Sequence, residues 1–382
     1  MKRSIDRILT KPVGSLHRPK SLEAMMTDRE QGELVDAATL VSEIQRAVEA
    51  VVAMQVQCGM DYVSDGEMSK ISFMEYPYRR ISGFDGPVND WIPPDIADFE
   101  EAQDFWFDAA APHVALRQNN GPVQLLDPQA VQQDITHLRN ALSAIDGPVE
   151  GFLCAASPGS VANPGTSYYH DEALFLGAIT DAMRPEYRAI VDAGYILQLD
   201  IPDVLMLGAY VLHDRDLYRR LVQPRLEALK GAMKDLPVNR IILHACWGNW
   251  PGPHHRDIPL AWIIDLLLDL PAQGLSIEAT TQPHQHDWHV FEDPRVAERF
   301  HSGEKILFLG LIDTKARALE PAEVIAERLC HFASLIGKEN LVASTDCGFG
   351  TFLGRSVITP ALAEAKLKRL AAGAQLASQM LW

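Results

Sequence analysis

The sequence predicts an α/β fold, a (β/α)8 TIM barrel, and three observations carry that reading. Short β-branched or apolar runs alternate with longer helical segments along all 382 residues. Eight such runs can be counted, each followed by a helix-like stretch. The runs are nearly continuous in apolar residues, as in strands of a parallel sheet covered by helices on both faces. Eight βα units suit a closed barrel. The alternative is an open doubly wound sheet, but no Gly-rich phosphate fingerprint follows any strand candidate.

The second half shows the alternation most clearly. IILHAC (241–246) precedes helical PLAWIIDLLLDL (259–270), and LSIEA (275–279) precedes a helix over 288–302. KILFLGLID (305–313) leads to PAEVIAERLCHFASLIG (321–337), which opens on Pro and closes on Gly as helix termini prefer. LVASTD (341–346) leads to a last helix over about 360–380. In the first half the strand candidates are KPVGSL (11–16), DYVSD (61–65), VEGFLCAAS (149–157) and YILQLD (195–200). Helices are expected over 38–57, 128–144, 171–193 and 214–234, so that residues 1–382 make a single barrel.

Residues 73–127 break the pattern. They hold FMEYPYRR, DWIPPDIADFEEAQDFWFD and GPVQLLD, and are too long for a βα loop. The expectation is an aromatic-rich excursion after the second strand, serving as a lid over the barrel mouth, as a subunit contact or as a decorated surface loop. The second use, resting on the aromatic stretch 96–107, would make the chain a homo-oligomer.

Composition narrows the function. With 34 Lys plus Arg against 51 Asp plus Glu, the formal charge is −17, which disfavours nucleic acid or an anionic membrane as partner. No run of eighteen apolar residues suggests a membrane span. The basic N-terminus lacks an apolar run with a cleavage site, so a cytoplasmic protein is expected. Five cysteines, Cys58, Cys154, Cys246, Cys330 and Cys347, are an odd number and read as reduced thiols.

Catalytic groups of such barrels stand at the C-terminal ends of the strands. Strand five ends in His244-Ala245-Cys246, strand six in Glu278, and strand eight in Asp346-Cys347-Gly348. His244 and Cys246 are two apart and share a strand face. Together with Glu278 and Cys347 they form an N, S, O, S set that suits tetrahedral zinc. Taken singly, each Cys also reads as a small core residue, and Glu278 as a solvated or salt-bridged carboxylate.

These residues resemble the catalytic barrel of cobalamin-independent methionine synthase. The matching segments are VGSLHRP (13–19), SDGEMSKISFMEY (64–76), LQLDIPD (197–203), ILHACWGNW (242–250), LSIEA (275–279) and STDCGFGT (344–351), in family order. The resemblance implies zinc (Zn2+) held by His244, Cys246, Glu278 and Cys347. It implies a transferase of methionine biosynthesis that ionises the thiol of homocysteine and alkylates it with a methyl group. It also implies that Ser15 meets the homocysteine carboxylate, and that Glu67 and Asp200 hold its ammonium.

The sequence departs from the family in three places. The long enzyme's additional N-terminal barrel has no counterpart, which implies a short, single-barrel relative. Its aromatic folate platform is replaced by SPGSVANPG (157–165), and its proton-delivering His by Asp313-Thr314-Lys315. Methylfolate is therefore in doubt as donor, and Lys315, Asp313 or water becomes the proton source. CWGNWPGPHHRDIP (246–259) also resembles the epoxyalkane:coenzyme M transferase subgroup, in which a small thiol opens an epoxide. The alkoxide would then need an acid such as His255, His254, His17 or a Tyr of 76–78. A sulfonate thiol would call for Arg18 or Lys70. QPHQHDWH (282–289) adds His284, His286 and His289 near the mouth. A metal hydrolase and a non-catalytic zinc protein are the readings from other classes.

Overall fold

The computed structural model describes residues 1–89, 91–99, 101, 116–212, 214–354 and 356–382. Eight parallel strands form one sheet: β1 Leu9–Lys11, β2 Tyr62–Ser64, β3 Glu150–Ala156, β4 Ile196–Asp200, β5 Ile241–Ala245, β6 Gly274–Ile277, β7 Ile306–Gly310 and β8 Leu341–Ser344. Each pairs with its neighbour in sequence from β2 to β8, and β8 pairs with β1. Asp61 N donates to Thr10 O at 3.0 Å across the β1–β2 seam. The sheet thus curls into a (β/α)8 barrel, which excludes the open doubly wound alternative.

The expected first strand, 11–16, lies earlier, at Leu9–Lys11. Pro12 has no N–H to give a ladder, and Val13 N donates instead to Thr345 Oγ1 at 2.9 Å. Residues 13–16 are therefore a mouth loop.

Among the described residues, the helices of eight residues or more are α1 Lys20–Glu30, α2 Ala37–Gln57, α3 Ala130–Ser143, α4 Glu172–Asp192, α5 Arg215–Met233, α6 Pro294–His301, α7 Ala322–Ile336 and α8 Pro360–Leu381. Asp36, Asp171, Asp214 and Thr359 cap α2, α4, α5 and α8 by accepting the N–H three residues on. The sequence reading missed α1, which buries only Leu22 and Met26 and so has little periodicity. The helix expected over 288–302 begins at Pro294, because a residue before proline avoids the helical region and Asp293 caps the start. The stretch 259–270 is a 3-10 turn at Leu260–Trp262 followed by a short helix at Ile264–Leu268.

Strand alternation creates two cores. Leu197, Leu199, Leu243 and Leu309 point outward into the layer beneath the helices. Ile196, Ile242, Phe152, Phe308 and Val342 fill the barrel interior. Two residues further along each strand, the same inward face carries Gln198, His244 and Cys154, and β4 continues to Asp200. An apolar floor therefore gives way to chemical groups at the C-terminal mouth.

Within the excursion, Val88–Asn89 pairs antiparallel with Leu116–Arg117, and Pro94–Ala97 is a short helix. Asp95 Oδ2 accepts from His254 N at 2.9 Å and Trp250 Nε1 at 3.3 Å. Asp98 pairs with Arg256 and with His255 Nε2. Both carboxylates fasten the excursion to the loop after β5. Most of 96–107, on which a subunit contact was expected, lies outside the described residues. Among the described residues, no helix is long and apolar enough to cross a membrane.

Candidate metal and thiol site

A chamber of about 1090 Å³, counting the part open to solvent, occupies the mouth. Its deep wall includes Ser15, Glu67, Asp200, His244, Cys246 and Cys347, and its outer wall Phe73, Met74, Trp91, Met206, Trp250 and Phe352.

His244, Cys246 and Cys347 converge. One ligand atom from each lies within 4.8 Å of the others, and all three residues are buried. Neither ring nitrogen of His244 has a hydrogen-bond partner. Two orphaned nitrogens in a buried ring are costly in a protein interior. Burial, with help from Lys11 and Lys315, pushes the His244 pKa down to about 3, so the ring is neutral and keeps a lone pair. The Cys246 thiol is pushed up by its hydrogen bond with Cys347 and by burial. A neutral imidazole facing two sulfurs fits a thiophilic divalent cation, which would deprotonate both thiols.

Glu278 is buried beside this set but outside the 4.8 Å group. Its Oε2 accepts from Lys315 Nζ at 3.2 Å, and its Oε1 from Trp247 N at 3.2 Å. Burial opposes the charge on Lys315, but Glu278 and Cys347 outweigh it and raise its pKa. Asp313 Oδ1 accepts from Lys315 N at 2.8 Å and so sets the turn that aims this lysine.

Glu67, Cys154 and Asp200 form a second buried group, again with ligand atoms within 4.8 Å of one another. Glu67 has φ 58°, in the left-handed region that costs a non-glycine residue roughly 1–3 kcal/mol. Arg18 Nη2 donates to Glu67 O at 2.9 Å and Glu67 N to Asp65 Oδ1 at 3.0 Å, which holds the strained turn. Glu67 Oε2 is buried without a partner. Burial and then Glu67 raise Asp200 to about pKa 7. Lys70 and Lys11 partly offset these carboxylates. Gly14 is required at this wall, since a Cβ there would meet Cys154 Sγ at 2.7 Å and Glu67 Oε1 at 3.1 Å. Ser15, the next residue, packs against Gly348, and its Oγ lies 3.4 Å from Thr351 Oγ1.

The histidines divide. His255 has a half-exposed side chain, pairs with Asp98 and is not among the chamber's lining residues. His17 Nε2 lies 2.6 Å from Ser356 Oγ, also away from the lining. His286 and His289 are exposed. His284 is buried, with Nδ1 2.9 Å from Asp287 and Nε2 3.0 Å from Asp257, and it stacks on Trp247 at 3.5 Å. His254 shares Asp257 and stacks on Trp250 at 4.9 Å. Both rings thus support the loop that carries Cys246.

Sequence reasoning missed three contributors. Cys154 sits in an apolar strand and reads as core; only the β3–β4 register brings it beside Gln198. Asp346 accepts from Ala279 N at 3.1 Å, Thr281 N at 3.2 Å and the Thr280 hydroxyl, tying the loop after β6 to β8. Its place in STDCGFGT, next to Cys347, was the available signal. Asn249 Nδ2 donates to Gly348 O at 2.8 Å, joining the loops of the two cysteines.

Fold and site together define a (β/α)8 barrel with a soft-donor cluster and a buried pair of carboxylates at its mouth. No family model matches the sequence. The chain is similar to the methionine synthase of Saccharolobus islandicus, at 22% identity over 342 residues, 89% of this chain and 87% of that protein. It is 22% identical to that of Sulfolobus acidocaldarius over 344 residues, 89% of this chain and 85% of that protein. Among solved structures it is similar to a B12-independent methionine synthase from a Shewanella species in complex with selenomethionine. That match has a TM-score of 0.73 at 17% identity, over 98% of this chain and 99% of that one. A putative vitamin-B12-independent methionine synthase from Listeria monocytogenes matches with a TM-score of 0.64 at 19% identity, over 98% and 99% of the two chains. The structural likeness shows the shared fold. In sequence the chain is similar, at 22% identity, to curated proteins named methionine synthase.

Proposed function

We propose that this chain is a zinc-dependent methyltransferase that alkylates the thiol of homocysteine to give methionine. One observation carries the reading: a single chamber holds His244, Cys246 and Cys347 together and places the carboxylates Glu67 and Asp200 beside them. The names of the relatives support it. His244, Cys246, Cys347 and Glu278 would hold the zinc ion, which when bound lowers the pKa of a coordinated thiol so that it reacts as thiolate.

The chain's own residues do the rest. Glu67 and Asp200 receive the ammonium, because two desolvated carboxylates stabilise a cation strongly. Ser15 and nearby backbone N–H groups receive the carboxylate. Lys315 pairs with Glu278 beside the cluster, and Asp313 positions Lys315. The described part of the excursion serves as a lid at the mouth, with Trp91 and Leu116 in the chamber wall and Asp95 and Asp98 as its fastenings. His255 serves that lid through Asp98.

The coenzyme M reading is less favoured. Arg18 Nη1 is spent on Gly350 O at 2.9 Å and Lys70 Nζ on Cys154 O at 2.6 Å, so neither is directed at a sulfonate. The test is metal analysis of the purified chain, then mass spectrometry of thiols incubated with methyl donors. About one zinc per chain and labelled methionine are expected. Bound zinc with no alkylated thiol from any donor would leave a non-catalytic zinc protein.

A further inference from the structure

We propose that the methyl donor is an onium cation, a sulfonium or a quaternary ammonium, seated against the aromatic outer wall of the chamber. This rests on the methyltransferase reading above and adds the donor's chemical class.

The outer wall presents four aromatic rings, Phe73, Trp91, Trp250 and Phe352. Trp91 and Trp250 meet edge to face, with centroids 5.6 Å apart and planes at 80°. His254 stacks on Trp250 at 4.9 Å, so the cation would rest mainly against Phe73, Trp91 and Phe352, with Trp250 packed behind Trp91. Aromatic faces carry negative quadrupole density, and methylated onium groups are the cations that such cages recognise.

Charge points the same way. The lining includes the carboxylates of Glu67 and Asp200, and among its described residues there is no Lys or Arg. Among the described residues the nearby cations face elsewhere: Arg18 to Gly350 O, Lys70 to Cys154 O, Lys315 to Glu278, Lys11 to Gln198 Oε1 at 2.5 Å, and Arg225 to Gly159 O at 2.9 Å. A donor with carboxylate or phosphate tails would meet no Lys or Arg among the described lining residues, on a chain of formal charge −17. A cationic donor enters with the field.

The proton balance agrees. The thiol proton leaves to solvent when the thiolate forms. A sulfur lone pair then makes the new S–C bond while the onium C–S or C–N pair returns to the leaving group. Thiolate and cation become two neutral molecules, a thioether and a sulfide or tertiary amine, and no acid is needed. A neutral methylated amine, by contrast, would have to be protonated to leave. The acids suggested for that task are badly placed: His17 and His255 are outside the lining, and Lys315 is engaged by Glu278.

The experiment uses the zinc-loaded chain. Choline and dimethylbutanol, its uncharged carbon isostere, are titrated against tryptophan fluorescence. Trimethylsulfonium and tetramethylammonium are then compared with methyltetrahydrofolate as donors to homocysteine. Choline should bind at least about tenfold tighter than its isostere. Trp250→Leu, and separately Trp91→Leu in case the first does not fold, should remove most of that difference. A methylated onium should yield methionine, and the two onium arms separate a sulfonium from an ammonium source. Equal binding of choline and isostere, or none by either, overturns the proposal. Methionine from methyltetrahydrofolate but from neither onium overturns it too, while leaving the methyltransferase reading intact. Selective choline binding with no methionine from any donor defeats the methyltransferase reading, and the donor assignment falls with it.

Discussion

Asp200 and His244 are direct partners in the parallel register between β4 and β5. The pairing sets a carboxylate of the acidic recess beside an imidazole of the soft-donor cluster, both on the inward face of the barrel. An amino acid whose ammonium rests on Asp200 and Glu67 can therefore present its side chain to the cluster from one bound pose. The predictions below follow from that arrangement and from the groups that support it.

Serine in place of either Cys246 or Cys347 replaces a soft donor by a hard, weakly acidic one. Zinc per chain, read by plasma mass spectrometry, should fall from about one to below about a tenth. Cys330→Ser should keep full metal, because Cys330 lies half-buried with Met380 as its sulfur neighbour at 3.9 Å.

Glu67→Gln and Asp200→Asn each remove a charged partner of the ammonium. A charge-assisted hydrogen bond is worth roughly 1.5–3 kcal/mol, so KM for homocysteine should rise about 10- to 100-fold, with a smaller change in kcat. Steady-state kinetics over homocysteine concentration would show it; an unchanged KM in both variants removes the ammonium assignment.

Lys315→Met leaves the buried Glu278 without its cationic partner. Breaking such a pair costs about 3–5 kcal/mol. The urea midpoint should drop accordingly, and adding Glu278→Gln should restore much of the loss. A midpoint that does not move in the single variant contradicts the pairing.

His284 supplies a pH dependence. Burial opposes its charge, but hydrogen bonds from the ring to Asp257 and Asp287 prevail and raise its pKa from 6.5 to about 9. A raised folded pKa means that the protonated ring favours the folded state. Its contribution, on the order of 3 kcal/mol at most, is complete below pH 6.5, declines as pH climbs, and is lost above about 9. The melting temperature should fall across that window, and His284→Gln should flatten the fall.

Much of the architecture was legible in the chain. Eight apolar runs alternating with amphipathic segments are a local signal, and the observed strands fall on or within a few residues of them. The first was displaced because Pro12 cannot extend a ladder. α1 was missed because two buried residues make no period. The donors were legible as well: His244 and Cys246 stand two apart on a strand end, and Cys347 follows another.

By itself, the order of residues determined the barrel, the inward face of each strand and the candidate soft donors at the strand ends, since hydrophobic periodicity and strand geometry depend only on neighbours in the chain. Tertiary structure alone decided which groups meet. It put Cys154 between Glu67 and Asp200, turned Glu278 toward Lys315, drew His255 out to Asp98 and stacked His284 on Trp247. Those contacts join residues dozens to hundreds of positions apart. They depend on sheet register and loop packing, where a shift of one residue or one rotamer exchanges one partner for another.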